Sequence, residues 1–150
     1  MTYEAYCTFE EHRIRAVKVD NEYWFLCPDI TLAVGIYDDM FNDWNNFFDN
    51  RFDIRIYKLN KKCVPRLKIV CDQYITDIDG VITYLTDYVP KTRRAKRLLS
   101  WFRDGLYEKE NMIIGTLENV GQINQCIEQE IIKRPRWLTD EVLKKWLYGD

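Results

Sequence analysis

Arg13-Ile-Arg-Ala-Val-Lys-Val-Asp-Asn-Glu-Tyr-Trp-Phe-Leu-Cys-Pro-Asp-Ile-Thr-Leu-Ala-Val-Gly35 is the stretch that decides the fold. Ile14 to Val19 is a short apolar, β-branched run. Asp20-Asn21 follows it, and both residue types tolerate φ > 0 in a two-residue hairpin turn. Tyr23 to Leu26 is a second run of strand formers. Pro28 suits a first helical position, because it has no N–H to leave unpaired. Asp29 then sets a negative charge against the helix N-terminus, and Gly35 is a natural stop. The stretch is expected to be a hairpin and a short capped helix at the centre of the fold, with Trp24 and Phe25 in the core.

Outward from this unit, Tyr3 to Phe9 reads as a leading strand. Asp38 or Asp39 offers an N-cap, and Met40, Phe41, Trp44, Phe47 and Phe48 make one apolar helical face. Phe52, Ile54 and Ile56 alternate with polar residues as a half-buried strand. Asn60-Lys61 turns it, and Val64, Leu67, Ile69 and Cys71 read as the returning strand, bulged or at an edge because of Pro65. Thr76 with Asp79 resembles a capping box. The helix it opens buries Ile78, Val81 or Ile82, Leu85 and Val89, tolerates Gly80, and ends at Pro90. Thr92 caps another helix with a stripe of Ala95, Leu98, Leu99, Phe102 and Leu106.

The fold class expected is therefore α+β: a small antiparallel sheet with β-hairpins, packed against several short helices, with a helical C-terminal tail. A boundary near Gly105 or Glu108 to Asn111 divides the chain into a domain over 1–108 and a tail over 109–150. In the tail, Ile113, Leu117, Val120, Asn124, Ile127 and Ile131 form a coiled-coil-like seam, weakened by Gly115 and Gly121. That seam needs a surface, either the core domain or a second copy of the chain in a homodimer. A last short helix follows Thr139.

The 150 residues carry a net charge of −2, but the charge is segregated. Acids dominate from Asp20 to Asp53. Arg55, Lys58, Lys61, Lys62, Arg66 and Lys68 form a run without acids, and Lys91, Arg93, Arg94, Lys96, Arg97 and Arg103 a second basic run. The five cysteines are scattered, which reads as reduced thiols in an intracellular protein. The first residues lack the pattern of a secretory signal, and no apolar run is long enough for a membrane span. His12 is the one histidine and Ser100 the one serine, so no metal site or nucleophile–base pair is expected. No glycine-rich phosphate loop occurs. These absences argue against an enzyme and against any cofactor.

The order of elements resembles the opening of the Bro-N domain of prophage antirepressors and of the Bro proteins of insect DNA viruses. Ile14 to Val19, Asp20, Trp24-Phe25, Asp29 and Gly35 carry the likeness, followed by Ile75 to Gly80 and by the Thr92 to Phe102 helix with Ala95 and Trp101. The likeness spans about residues 9 to 106. The family's concluding Val-Leu-Pro segment is absent after Trp101, and a similar string runs from Arg136 to Leu143. The resemblance implies a viral or phage protein acting in the host cytoplasm or nucleus, on nucleic acid or on a repressor protein.

Two functions follow. The first is a non-catalytic regulatory module whose Arg55, Lys58, Lys61, Lys62, Arg66, Arg93, Arg94, Lys96 and Arg97 contact the phosphates of DNA or RNA. The second is a protein-interaction module that binds and inhibits a host or repressor protein. A continuous basic face shared by the two basic runs would favour the first.

Overall fold

The computed structural model describes residues 2–36, 44, 46, 47, 54–59, 64–69, 71 and 73–116. The quoted stretch folds as its sequence dictates. β1 (Thr2–Phe9), β2 (His12–Val19) and β3 (Glu22–Leu26) form consecutive antiparallel hairpins. Asp20 and Asn21 take φ of 49° and 66°, the left-handed pair that a two-residue turn between twisted strands requires. Glu10 and Glu11 do the same between β1 and β2, at 44° and 70°. His12 is thus the first residue of β2, opposite Phe9.

α1 (Cys27–Val34) follows β3 without a linker, with Pro28 in its first turn. Gly35 ends it at φ 97°, its N–H donating to Leu32 O while Ile36 N–H donates to Thr31 O. This paired closure needs a left-handed residue, which glycine adopts without penalty.

β4 (Ile56–Leu59) is shorter and later than the alternation around Ile54 predicts. Its partner is β5 (Gln73–Thr76), with Ile56 opposite Thr76 and Leu59 opposite Gln73. The expected returning strand from Val64 to Cys71 is therefore corrected. Residues 65–67 instead form a 3-10 turn, Pro65–Leu67. Proline has no N–H for a ladder, and pairing passes to the first stretch beyond it free of that defect. Lys61 and Lys62, the expected hairpin tip, lie outside the described residues.

α2 (Ile78–Thr83) is capped by Asp77, whose side chain accepts from Gly80 N at 2.9 Å, so the cap sits one residue later than the Thr76 box. It runs on as a π turn, Tyr84–Tyr88, before Pro90. α3 (Arg93–Arg103) is capped by Thr92, which accepts from Ala95 N at 3.1 Å. Ala95, Leu98 and Phe102 are buried as the stripe predicts; Trp101 joins them, while Leu106 is exposed. α4 (Leu106–Lys109) follows the left-handed Gly105.

β6 (Met112–Thr116) then pairs antiparallel with β1, completing a six-stranded sheet in the order β4-β5-β3-β2-β1-β6. Two expectations change here. Ile113 lies on a strand, not on a helical seam, and a division after residue 108 would cut a strand from the sheet. Leu117, Val120, Asn124, Ile127 and Ile131 lie outside the described residues.

The sheet separates two apolar layers. Ile14, Ala16 and Phe25 face the helices, where Trp44 and Phe47 are also buried and Phe25 meets Phe102 edge-on at 5.3 Å. Val17, Trp24, Leu26 and Ile75 face the other way, against Val64, Leu67 and Ile69. Period-2 alternation along each strand sends neighbours to opposite layers. No described helix is long and apolar enough to cross a membrane.

Candidate functional site

The alternation that places Ile14 and Ala16 among the helices turns Arg13 and Arg15 to the opposite face. There they meet Tyr6 on β1, Arg66 to Lys68 on the crossing segment, and Leu32 on α1 around a cavity of about 700 Å³. Ile114, displaced by a bulge between Glu4 and Ala5 of the facing strand, closes one side.

Arg15 and Asp29 build the floor. Ala16–Phe25 is the last β2–β3 pair, so the Arg15 N–H has no strand partner. It donates to Asp29 Oδ2 at 2.8 Å. The Arg15 guanidinium adds two more bonds to the same carboxylate, Nε to Oδ2 and Nη2 to Oδ1, both at 2.8 Å. Its remaining arm, Nη1, donates to Leu67 O at 3.0 Å. The carboxylate holds Arg15 above the usual arginine range, mainly through these hydrogen bonds. Asp29 is 4% exposed. It ties α1 to β2 and fixes the guanidinium that reaches the 3-10 turn, which is more than charge at a helix end.

Glu4 and Arg66 form a second pair. The Glu4 side chain is wholly buried, and its Oε1 accepts from Arg66 N at 3.0 Å while Oε2 lies 3.7 Å from Arg66 Nη1. Burial raises the Glu4 carboxyl above its ordinary value, opposed by the Arg66 N–H and the Arg66 charge. The Arg66 guanidinium crosses β6 at Gly115, where an added Cβ would fall 1.9 Å from Nη1. That glycine, in the sequence a weakness in a helix, is what lets the arginine pass.

Arg13 and Lys68 complete the rim. The Arg13 guanidinium sits 4.1 Å from the centre of the Tyr6 ring. Lys68 is exposed in the left-handed region at φ 55°. Neither has an ion-pair partner among the described residues.

The residues expected to contact phosphate are scattered. Arg55 lies 4.7 Å from the centre of the Trp24 ring and pairs with Glu22 at 3.0 Å and with Asp77 at 3.5 Å. Lys58 is exposed on β4. Among the described residues, Arg66 is the one expected contact at the cavity. Arg94 donates from Nε to Ala33 O at 2.8 Å, across the C-terminal end of α1, where a cation suits the exposed carbonyls. Arg97 is held by Glu10 at 2.7 Å. Arg93 and Lys96 are exposed on α3. α3 packs into the helical layer and the 64–69 segment into the other. Arg66 and Lys68 therefore lie across the sheet from the basic run on α3, whereas Lys58 shares the parity of Ile56 on the helical side, and these described residues of the two runs do not form the continuous face.

Arg13, Arg15 and Lys68 were not among the expected contacts. The signal that finds Arg13 and Arg15 is the alternation Arg13-Ile14-Arg15-Ala16-Val17, with charge on one parity of a central strand. No local signal indicates that Lys68 and Arg66 fold back over them. Among the described residues no group of three His, Cys, Asp or Glu side chains is placed to hold a metal ion. Compared with known proteins, the chain matches no family model, no curated protein and no solved structure.

Proposed function

We propose that the protein is a non-catalytic nucleic-acid-binding module, with its contact surface centred on the Arg13–Arg66–Lys68 cavity rather than spread over the hairpin and α3. The observation that carries this reading is the convergence of four cations from two separate segments, β2 and residues 64–69, on one cavity. Two of them, Arg13 and Lys68, carry no ion pair among the described residues. Arginine presents a planar fork of donors that matches phosphate oxygens, and lysine adds a mobile point charge. The Bro-N resemblance supports the same reading and adds a regulatory, antirepressor-like role in a virus or phage.

The test is binding to DNA and RNA as a function of salt. Removing one cation that neutralises a phosphate should reduce the slope of log K against log salt by about 0.9 on duplex DNA. Arg13→Gln and Lys68→Gln are expected to do so, and Arg93→Gln, on the far side of the sheet, to do so less. No retention of either nucleic acid at low salt overturns the reading.

A second reading has its own observation. Met112 and Ile113, 56% and 53% exposed, lie together on the edge strand β6. An apolar edge strand is a surface for pairing with another chain. This supports the protein-interaction alternative, with a host protein, a repressor or a second copy of the chain. Its test is whether Ile113→Lys lowers the mass seen by light scattering, or releases a partner at fixed stoichiometry.

A further inference from the structure

We infer that the cavity takes a single phosphate monoester dianion on an apolar or aromatic body, either the 5′-phosphorylated end of a nucleic-acid strand or a free mononucleotide. The inference rests on the nucleic-acid reading for its first source only.

Charge sets the valence. One buried carboxylate, Asp29, lines the cavity and a second, Glu4, lies behind Arg66, and each is already matched. Asp29 is bound three times by Arg15, and Glu4 lies against Arg66. Arg13 and Lys68 remain as two positive charges without an ion pair among the described residues. A phosphodiester in a continuous strand brings one negative charge, whereas a monoester brings close to two at neutral pH. The monoester is the better electrostatic match.

Shape sets the rest. About 700 Å³ is far more than one phosphate fills and is in the range of small-molecule sites. Leu32, Leu67 and Ile114 line it, giving an apolar body a wall to rest on. Arg15 is not free to grip a ligand, because Asp29 and Leu67 O occupy its fork. It fixes the floor instead. Arg13 sits over Tyr6 at the rim, its guanidinium carbon 4.1 Å from the ring centre. An uninterrupted backbone can only pass across such a cavity, but a strand end can enter it.

The test uses the full chain, with fluorescence anisotropy on single strands of one sequence carrying a 5′-phosphate or a 5′-hydroxyl. Titration calorimetry with adenosine 5′-monophosphate and with adenosine accompanies it. The phosphorylated strand should bind about 10-fold more tightly than the hydroxyl strand. The monophosphate should bind and adenosine should not. The double variant Arg13→Gln/Lys68→Gln should erase both differences while keeping the far-UV spectrum. Binding of the monophosphate without binding of any strand supports the cavity and overturns the nucleic-acid reading. Equal binding of the two strands without binding of the monophosphate overturns the cavity assignment and leaves the nucleic-acid reading standing. A phosphate preference that survives the double variant also overturns the assignment, and no binding of any probe overturns both.

Discussion

Asp29→Ala separates two accounts of one carboxylate. If Asp29 serves only as a charge at the N-terminus of α1, its loss costs about 0.3–1 kcal/mol, independent of residue 15. The geometry says otherwise. Three bonds of 2.8 Å end on this side chain, two of them from a guanidinium and one from a backbone N–H that has no strand partner. Hydrogen bonds to charged groups contribute about 1.5–3 kcal/mol each, and removing one partner of a buried pair costs about 3–5 kcal/mol. Arg15 is 24% exposed, so water recovers part of its solvation and the upper values are too large. A loss of about 2–4 kcal/mol is expected, or a urea midpoint lower by about 1–2 M at a slope near 2 kcal/mol/M. Tryptophan fluorescence follows the unfolding. The decisive measurement is the cycle with Arg15→Met and the double variant. Sites that do not interact add to within about 0.3–0.5 kcal/mol. Coupling above about 1 kcal/mol is expected here, and coupling below about 0.5 kcal/mol refutes the claim that Asp29 acts through Arg15.

Three further outcomes follow from the same geometry. Gly80→Ala should destabilise by about 1–3 kcal/mol in urea although alanine favours helix, because its Cβ would fall 1.9 Å from Thr76 Oγ1, which is itself bonded to Arg55 O at 2.7 Å; a stabilised variant contradicts this packing. Glu4 has a carboxyl raised by burial from 4.5, so the stability it contributes is present below that value and lost as pH rises through its folded pKa. Glu4→Gln should therefore gain on the native protein as pH rises from about 4 to about 7.5, and a constant difference between the two unfolding free energies would count against a raised value. Burial pushes the Cys7 thiol up to about 12 and that of Cys27 well above its ordinary value, whereas Cys71 is exposed. Alkylation near pH 8 mapped by peptide mass spectrometry should modify Cys71 and spare Cys7 and Cys27 until urea is added; labelling of either buried thiol in the native state contradicts the packing.

The parts of the fold that the sequence discloses are those fixed by neighbouring residues. Asp20-Asn21, Pro28, Gly35 and Thr92 each act within four residues of themselves, and each does in the structure what its chemistry predicts. The failures are long-range or chemically atypical. Glu10-Glu11 forms a left-handed turn with residues that seldom adopt it, so the β1–β2 hairpin had no turn signal. β4 finds its partner at Gln73 to Thr76, beyond an intervening stretch of equally apolar residues. Which of two apolar runs pairs is decided by packing between segments, not by either run. Ile113 shows the same limit from the other side. Its spacing to Leu117 fits a helix, but the edge of β1 offers ladder hydrogen bonds, and residues 112–116 take them.

The site was hidden for a related reason, and the reason lies inside the stretch that decides the fold. A central strand must serve two layers, so a residue pattern that builds the core on one parity presents something else on the other. In β2 the even positions, Ile14 and Ala16, enter the helical core, while the odd positions, Arg13 and Arg15, turn outward under the 64–69 segment. A slip of one residue would bury both arginines among the helices, so the hydrophobic parity that fixes the register also fixes the cations at the cavity. Asp29 then locks that arrangement from the helix that the same stretch supplies. Fold and candidate site are in this sense one specification, read on two parities of a single strand. The acidic partners sit inside it, and Arg13 and Lys68, without ion pairs among the described residues, at its rim. A variant that keeps the hairpin and α1 but exchanges Arg13 and Arg15 for apolar side chains is therefore expected to keep its urea midpoint only when residues 15 and 29 change together.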